Sequence, residues 1–273
     1  MNIPEDLVEN VLKKIDKILE EKVDLDRKNI DFSKNTAFLY QNGRIKPVKN
    51  PKIPDINNLL GIDEQKKQIV YNTEKFVRGK PSNHVLLWGE RGTGKSSLVK
   101  GLLKLFSKDG LRLILIPKKD LLKIWDLYDL LEEFKDFRFI LFVDDLSFEE
   151  NQQDYKELKT VIDGGLKGLP ENIRFYVTSN RKNLIPVKFS DRNSDDTRIS
   201  DTIEEKLSLV DRFGLRIGFF HMSQDTYLKI VDMYAKMYNI KMENRELHRK
   251  ALQFSLNYGA RNGRVALQFI QSL

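Results

Sequence analysis

Residues 89–96 combine three glycines with a lysine and a serine in the order Gly-Glu-Arg-Gly-Thr-Gly-Lys-Ser. Glycine adopts backbone angles that are closed to residues with a side chain, so successive N–H groups of such a loop can turn towards one anion. A lysine placed here would reach the β- and γ-phosphates of a nucleotide, and the following hydroxyl would ligate Mg²⁺. The residue types and their spacing therefore predict a phosphate-binding loop for a nucleoside triphosphate.

The segments on either side of this loop have the character that the loop requires. Residues 85–88 form a short apolar run that is typical of a buried strand, and residues 97–103 begin an amphipathic helix. The phosphates would then lie at a helix N-terminus, which favours an anion. The alternative is a glycine-rich surface loop that only resembles this pattern. Nucleotide contacts are expected from Gly89, Glu90, Arg91, Gly92, Thr93, Gly94, Lys95, Ser96 and Ser97.

A pair of acids follows another apolar run. Residues 137–143 are predicted to form a strand, and Asp144 and Asp145 come directly after it. Downstream of a phosphate loop, Asp144 would act on Mg²⁺ together with Ser96, and Asp145 would polarise the attacking water. A surface turn after a strand is the alternative. The pair is therefore the candidate catalytic half of the site.

A polar strand end supplies a further candidate. Residues 173–177 are predicted to form a strand that ends in Thr-Ser-Asn, and the amide of Asn180 could reach the γ-phosphate or the attacking water. The next segment, residues 181–203, is polar, lacks periodicity and is predicted to be a loop.

Strands and helices alternate along the middle of the chain. Residues 111–116 and 215–220 are also predicted strands, which gives five with those already described. Helices are predicted to begin at Asp63 and Asp120, each as N-cap, and to cover residues 155–162. This alternation is typical of an α/β fold in which a five-stranded parallel sheet lies between helices.

The chain divides into three predicted parts. Residues 1–55 form an N-terminal helical and linker extension, residues 56–221 the α/β nucleotide-binding core, and residues 222–273 an α-helical lid. In the extension, an apolar stripe over residues 4–22 predicts a helix that docks on the core or binds a partner, and residues 37–40 predict a short strand. The predicted lid helices cover residues 223–238, 244–258 and 260–270.

Composition bounds the possible functions. The 273 residues include no cysteine, so neither a disulfide framework nor a thiolate metal site is expected. No apolar run approaches the ~18 residues of a membrane span, and the N-terminus lacks signal-peptide features, so a cytoplasmic location is expected. The net charge of +7 hints at a polyanionic partner, but the 47 basic residues are interspersed with 40 acidic ones.

The ordered set of motifs resembles the AAA+ ATPase superfamily over residues 56–273. The set comprises the phosphate loop, the paired acids, the Thr-Ser-Asn strand end, Asp-Arg-Phe-Gly at 211–214 and Gly-Ala-Arg at 259–261. The phrases at residues 142–150 and 205–215 are more closely similar to one bacterial AAA+ family that is known only as a domain of unknown function. The resemblance implies a P-loop NTPase with ATP and Mg²⁺ as ligands.

The resemblance also implies roles for three side chains. Asn180 resembles the sensor-1 residue, Arg212 the arginine finger that acts in trans on a neighbour's ATP, and Arg261 the sensor-2 arginine of the lid. A salt bridge near Asp211 for Arg212, or a helix cap for Arg261, are the structural alternatives. The implied protein is a homo-oligomer, a ring or spiral with a hexamer expected, that couples ATP turnover to remodelling of an unknown protein or nucleic-acid client.

Two departures from the family pattern bear on the mechanism. Most AAA+ proteins have a glutamate at the position of Asp145; the shorter carboxylate implies slow hydrolysis, or Glu149 assists as the base. Lys118 and Lys119 follow the strand at residues 111–116, where the family often has a polar residue that restrains the catalytic carboxylate. Paired aspartates also occur in the replication-initiator and helicase-loader branch. The alternative function is therefore a nucleotide-dependent, DNA-associated switch with slow turnover.

Overall fold

The structure is a computed structural model that describes residues 30–148, 154–182, 184 and 208–273. The predicted helix at residues 4–22, the candidate base Glu149 and most of the predicted loop at residues 181–203 lie outside the described residues. The described part contains one sheet, helices on both of its faces and three C-terminal helices.

Seven strands form a single sheet. They are β1 Ala37–Gln41, β2 Arg44–Pro47, β3 Val85–Gly89, β4 Leu111–Leu115, β5 Arg138–Val143, β6 Ile173–Ser179 and β7 Leu215–Phe219. Their order across the sheet is β2-β1-β4-β5-β6-β3-β7, and every neighbouring pair is parallel except β1 with β2. The predicted α/β fold with a mostly parallel sheet is therefore confirmed.

The sheet has two strands more than the five predicted for it: β1, which corresponds to the short strand predicted at residues 37–40 of the extension, and β2. β1 pairs in parallel with β4, and β2 turns back along β1 through Asn42 and Gly43. Both turn residues have positive φ, a conformation that asparagine and glycine adopt readily, so a tight hairpin forms. The antiparallel β2 lies at the sheet edge and ends at Pro47, a residue that edge strands tolerate. The sheet thus includes residues from both sides of position 55.

Helices pack on both faces of the sheet and beyond its end. They are α1 Asp63–Val77, α2 Lys95–Phe106, α3 Trp125–Glu132, α4 Asp154–Asp163, α5 Gln224–Met237, α6 Asn244–Tyr258 and α7 Gly263–Gln271. α1 and α2 cover the face that receives Val85 and Leu87, whereas α3 and α4 cover the face that receives Leu86. This alternation along β3 is the period-two pattern of a strand that is buried on both sides. Across the described ranges, no helix has the length and apolar character that a bilayer crossing needs.

Two predicted helix caps differ in the structure. Asp63 is the first residue of α1, and the position before it is Ile62, which makes no side-chain cap. Asp120 lies inside a short 3-10 helix, Lys118–Lys123, that precedes α3. Its side chain is buried, and Oδ1 accepts a hydrogen bond from the Asn42 N–H at 3.0 Å. The carboxylate therefore satisfies the β1–β2 turn instead of a helix.

The three C-terminal helices share a core of their own. Tyr227 and Val231 of α5 pack with Ala251 of α6 and with Ala266 and Phe269 of α7. The Tyr227 hydroxyl also donates to the Ala251 carbonyl at 3.0 Å, which ties α5 to α6. We refer to α5, α6 and α7 as the lid.

The last lid helix begins later than the sequence predicts. Gly259 takes positive φ and ends α6, and α7 starts at Gly263, three residues beyond the predicted start at residue 260. The side chain of Asn262 accepts the Val265 N–H at 3.0 Å and so caps α7. Arg261 consequently precedes the helix, whereas Arg264 lies in its first turn.

Replacing Phe38 with alanine tests whether β1 belongs to the core. Phe38 is 1% exposed, and its ring centroid lies 4.9 Å from that of Phe32. Phe38→Ala should lower the free energy of unfolding by about 3–5 kcal/mol, because it removes a buried aromatic ring and leaves a cavity. Urea denaturation measures this. Val48→Ala, at an exposed residue after β2, is the control and should change the free energy of unfolding little. If Phe38→Ala has an effect as small as that of Val48→Ala, β1 is not packed in the core.

Candidate nucleotide-binding site

Three neighbouring strands deliver polar residues to one edge of the sheet. β6 lies between β5 and β3, and all three run parallel. Gly89 ends β3, Asp144 follows β5 directly, and Asn180 follows β6. The carboxyl ends of parallel strands meet at the same edge, which is where open α/β sheets bind ligands. Because α2 begins at Lys95, a helix N-terminus lies at the same edge.

A cavity of about 600 Å³ opens at this edge between the core and the lid. The predicted site residues that line it are Arg91, Gly92, Thr93, Gly94, Lys95, Ser96, Ser97, Asp144, Asp145 and Asn180. Its other walls include the apolar side chains of Leu59, Leu60, Met222, Ile230 and Leu267. A cavity of this size with one polar and one apolar end suits a nucleotide, because the phosphates of a nucleotide are charged and its nucleobase is largely apolar.

The carbonyl oxygens at the start of the phosphate loop are bonded to side chains of the loop and of α2. Lys95 Nζ donates to the carbonyls of Gly89 and Glu90 at 2.7 and 2.6 Å. The Thr93 hydroxyl donates to the Glu90 carbonyl at 2.8 Å. Gly89 and Glu90, both predicted nucleotide contacts, thus support the loop, and neither lines the cavity. A carbonyl held by a donor in this way is kept from facing a phosphate, which it would repel.

Gly89 cannot be replaced without moving the neighbouring strand. It has a φ of 123°, and a Cβ at this position would lie 1.9 Å from the Phe219 carbonyl oxygen of β7. The Glu90 N–H donates to that same carbonyl at 3.0 Å. The loop therefore leaves the sheet in close contact with β7, and this contact leaves room only for a glycine at position 89.

The ammonium group of Lys95 is held in a buried position. The side chain is 6% exposed, and Nζ also donates to Asn180 Oδ1 at 3.3 Å. Burial lowers the pKa of Lys95, whereas the negative charges of Asp145, Glu90 and Asp144 act in the opposite direction. A cation that has already lost much of its hydration interacts strongly with an anion that enters the same cavity.

The first acid is bonded to the predicted Mg²⁺ ligand of the phosphate loop. Asp144 Oδ1 accepts hydrogen bonds from the Ser96 hydroxyl at 2.5 Å and from the Thr178 hydroxyl at 2.6 Å. A hydroxyl and a carboxylate that converge in this way offer the oxygen ligands that Mg²⁺ prefers, with room left for phosphate and water. The donor set therefore fits Mg²⁺.

The second acid is held by one residue of β6 and by the residue that follows this strand. The Asp145 N–H donates to the Thr178 hydroxyl at 2.8 Å, and Asp145 Oδ1 accepts a hydrogen bond from Asn180 Nδ2. Asp145 itself has a φ of 55°, which is unusual for a residue with a side chain. Asn180 thus stands between Lys95 and Asp145 and bonds to both.

Thr178 is a site residue that sequence reasoning missed. Its side chain is 1% exposed, and its single hydroxyl bonds to both acids, since it donates to Asp144 and accepts from Asp145. Thr178 lies beside Asp144 because β5 and β6 pair in parallel with Val143 opposite Val177. The sequence of a single strand does not reveal this register, so the only signal in the sequence is that Thr178 lies at the end of a predicted strand.

Arg264 of the lid lines the cavity, whereas Arg261, the predicted lid residue, is not among its lining residues. The positive charge of Arg264 contributes to lowering the pKa of Lys95. Arg261 lines a separate, smaller cavity beside Glu90 and His221. The reason is the late start of α7, whose first turn faces the phosphate loop.

Arg212 does not line the cavity of its own chain. It ends a 3-10 turn, Val210–Arg212, just before β7, and its side chain is 40% exposed. Its Nε donates to Asp163 Oδ2 at the end of α4, at 2.9 Å. The salt bridge expected near Asp211 therefore involves a different acid, since Asp211 pairs with Arg216 at 3.3 Å.

Several solved structures are similar to this chain. A chain of the E. coli MS115-1 HORMA:CdnC:Trip13 complex is 15% identical with a TM-score of 0.51; the alignment covers 80% of this protein and 90% of that chain. The Thermotoga maritima RuvB Holliday junction branch migration motor is 16% identical (TM-score 0.49, 81% and 72% covered). The Aeropyrum pernix ORC2 protein is 12% identical (TM-score 0.48, 82% and 70% covered). At these identities the likeness concerns the fold alone.

The sequence itself matches one protein family. The model of the family described as protein of unknown function (DUF815) matches residues 33–273, which is most of the chain. The chain matches no curated protein. The matched region includes the whole described site and the lid. This chain therefore belongs to the DUF815 family.

Proposed function

We propose that this protein binds Mg²⁺-ATP between its α/β core and its lid and hydrolyses it to ADP and phosphate. The observation that carries the proposal is the hydrogen-bonded series Lys95–Asn180–Asp145 beside the Ser96–Asp144 pair. Hydrolysis needs a cation at the phosphates, oxygen ligands for Mg²⁺ and a carboxylate near the attacking water. The residues proposed for these three roles, Lys95, Ser96 with Asp144, and Asp145, all line one cavity.

The phosphates would occupy the polar end of the cavity. Lys95 would exchange its bonds with the Gly89 and Glu90 carbonyls for bonds with phosphate oxygens, a small movement for a flexible side chain. Ser96 and Asp144 would hold Mg²⁺, and Mg²⁺ when bound neutralises charge on the transferred phosphoryl group. The apolar end would receive the nucleobase.

Asp145 is the proposed base. The Asp145 carboxylate accepts a hydrogen bond from Asn180, and its main-chain N–H donates to Thr178, so a water between Asp145 and the γ-phosphate would be oriented for attack. When Asn180 turns its amide towards the γ-phosphate, Asp145 is released to accept the proton. Because aspartate is shorter than glutamate by one methylene, we propose that turnover is slow. Glu149, outside the described residues, is the alternative base.

The lid is proposed to supply a cation within the same subunit. Arg264 is the better supported residue for this sensor-2 role, since it lines the cavity with Lys95. Arg261, which the family resemblance implies, would need the start of α7 to move before it could reach a phosphate.

Arg212 is proposed to act in trans, on ATP bound by a neighbouring subunit of a ring or spiral, with a hexamer as the expected size. Its support is position: the guanidinium is part-exposed and lies outside the cavity of its own chain. An arginine supplied in trans can raise the rate of phosphoryl transfer by roughly 10³–10⁵. On assembly it would exchange Asp163 for the neighbour's γ-phosphate.

We further propose that turnover remodels a macromolecular client in the cytoplasm. The second candidate function is a DNA-associated switch of the helicase-loader kind, in which hydrolysis only resets binding. The net charge of +7 favours it, because a basic protein is attracted to a polyanion. The two differ in whether DNA stimulates turnover in a salt-dependent way.

Substituting Asp145 tests the proposed chemistry. Asp145→Asn keeps the size of the side chain and removes its basicity, so phosphate release should fall by roughly 10²-fold or more while ATP is still bound. Asp129→Asn, at an exposed pair with Lys167, is the control and should hydrolyse at the wild-type rate. Wild-type turnover by Asp145→Asn would show that another residue is the base.

Mixing two inactive variants tests the trans role of Arg212. At an ATP concentration that saturates wild type only, Lys95→Ala subunits should carry little ATP but still present Arg212, and Arg212→Ala subunits should have the opposite defect. Each alone should release little phosphate, and their mixture should regain activity, with sedimentation velocity reporting assembly. A Lys95→Ala/Arg212→Ala double variant mixed with Arg212→Ala is the control and should stay inactive, because its neighbours present no arginine to the intact ATP site. If the mixture of single variants is no more active than the sum of its parts, Arg212 does not act between subunits.

A further inference from the structure

The lid touches the phosphate loop directly through the residues that begin α7. Asn262 Nδ2 donates to the Arg91 carbonyl at 3.1 Å, and the Gly263 N–H donates to the Gly92 carbonyl at 3.1 Å. Two consecutive carbonyls of the loop are thus bonded by two consecutive residues of the lid. One of the two bonds is made by a side chain of the lid and the other by its backbone, and both join the lid to a loop about 170 positions earlier in the sequence.

This contact is close enough to restrict the residue types on both sides. Gly92 has a φ of 74°, and a Cβ there would lie 2.6 Å from the side chain of Asn262. Any larger residue at position 92 would push Asn262 away. The absence of a side chain at Gly92 therefore serves the approach of the lid as well as the curvature of the loop.

Asn262 uses its two amide atoms for different partners. Its Oδ1 accepts the Val265 N–H at 3.0 Å and caps α7, while its Nδ2 holds Arg91. One side chain therefore defines both where the helix begins and where that beginning lies on the loop. Arg264, two residues later, lines the cavity beside Lys95.

We propose that Asn262 is a positioning residue that couples the lid to the phosphate loop and holds Arg264 at the phosphates of the bound nucleotide. This inference rests on the proposed function, because it assumes that ATP binds in the cavity. A loop that rearranges around phosphate carries the Arg91 and Gly92 carbonyls with it, and the start of α7 follows through its two bonds. Nucleotide binding is thereby transmitted to the lid at this contact.

The contact can be broken while the helix cap is kept. Asn262→Ser retains an oxygen that accepts the Val265 N–H, since serine caps helices about as well as asparagine. Its shorter side chain does not reach the Arg91 carbonyl, and it adds no charge near the phosphates. Ser223→Ala is the matched control: it removes the cap of α5, where Ser223 accepts the Thr226 N–H at 3.2 Å, without touching the phosphate loop.

The experiment is a double-mutant cycle on ATP affinity, measured with a fluorescent ATP analogue and Mg²⁺ for wild type, Asn262→Ser, Arg264→Ala and the double variant. Asn262→Ser should weaken binding about tenfold, the size of one charged contact, and the double variant should bind no more weakly than Arg264→Ala. Ser223→Ala should bind as wild type does. Thermal unfolding should show that Asn262→Ser is at least as stable as Ser223→Ala. If Asn262→Ser is less stable, Asn262→Thr takes its place in the cycle.

The outcomes separate the two proposals. If wild type binds ATP and Asn262→Ser binds equally well, or if the two losses add in the double variant, Asn262 does not act through Arg264 and the inference is overturned alone. An equal loss in Ser223→Ala would show a general effect of lid stability and also overturn it. If wild type does not bind ATP, the proposed function fails, and the inference fails with it.

Discussion

The register of three buried parallel strands is the constraint on which the whole site depends. Since β6 lies between β5 and β3, the residues that follow β5 and β6 must meet the phosphate loop that follows β3. Thr178 reaches both acids, and Asn180 reaches Lys95, only because these strand ends are adjacent and parallel. A one-residue slip would turn Thr178 towards the opposite face of the sheet. The chemistry thus depends on the apolar packing that fixes the register.

A buried cation is the electrostatic centre of this arrangement. Removing an ammonium group from water is costly, and the cost is offset here by two loop carbonyls and by the Asn180 amide. The same bonds support the loop, and in the proposed mechanism Lys95 would exchange the two carbonyls for phosphate oxygens. Lys95 is therefore both a structural support of the loop and its proposed phosphate ligand.

The sequence predicts those residues of the site that directly follow a strand in the chain. The phosphate loop, the acid pair and Asn180 each follow an apolar strand, and strand ends in a parallel sheet gather at one edge. The partner of β1 is not visible in this way, since β4 lies far along the chain. The double role of Thr178 is hidden for the same reason, because it arises from pairing between strands and from nothing in its own strand.

The lid shows a further limit of sequence reasoning. Whether Arg261 or Arg264 lines the candidate site depends on where α7 begins, and that start is fixed by the bond of Asn262 to Val265 and by its contact with the loop. A Gly-Ala-Arg motif does not contain this information. A shift of three residues is almost one helical turn, which is enough to move an arginine from one cavity to the next.

The most direct test is the equilibrium binding of Mg²⁺-ATP to wild type and to Lys95→Ala, measured by isothermal titration calorimetry. If the cavity holds ATP, wild type should bind one ATP per chain, and Lys95→Ala should bind ATP about 10- to 100-fold more weakly, because a buried, charged hydrogen-bond donor is lost. Lys104→Ala, on the same helix but outside the cavity, should bind as wild type does. Equal affinity of wild type and Lys95→Ala, or no binding by wild type, would contradict the assignment of this cavity to ATP.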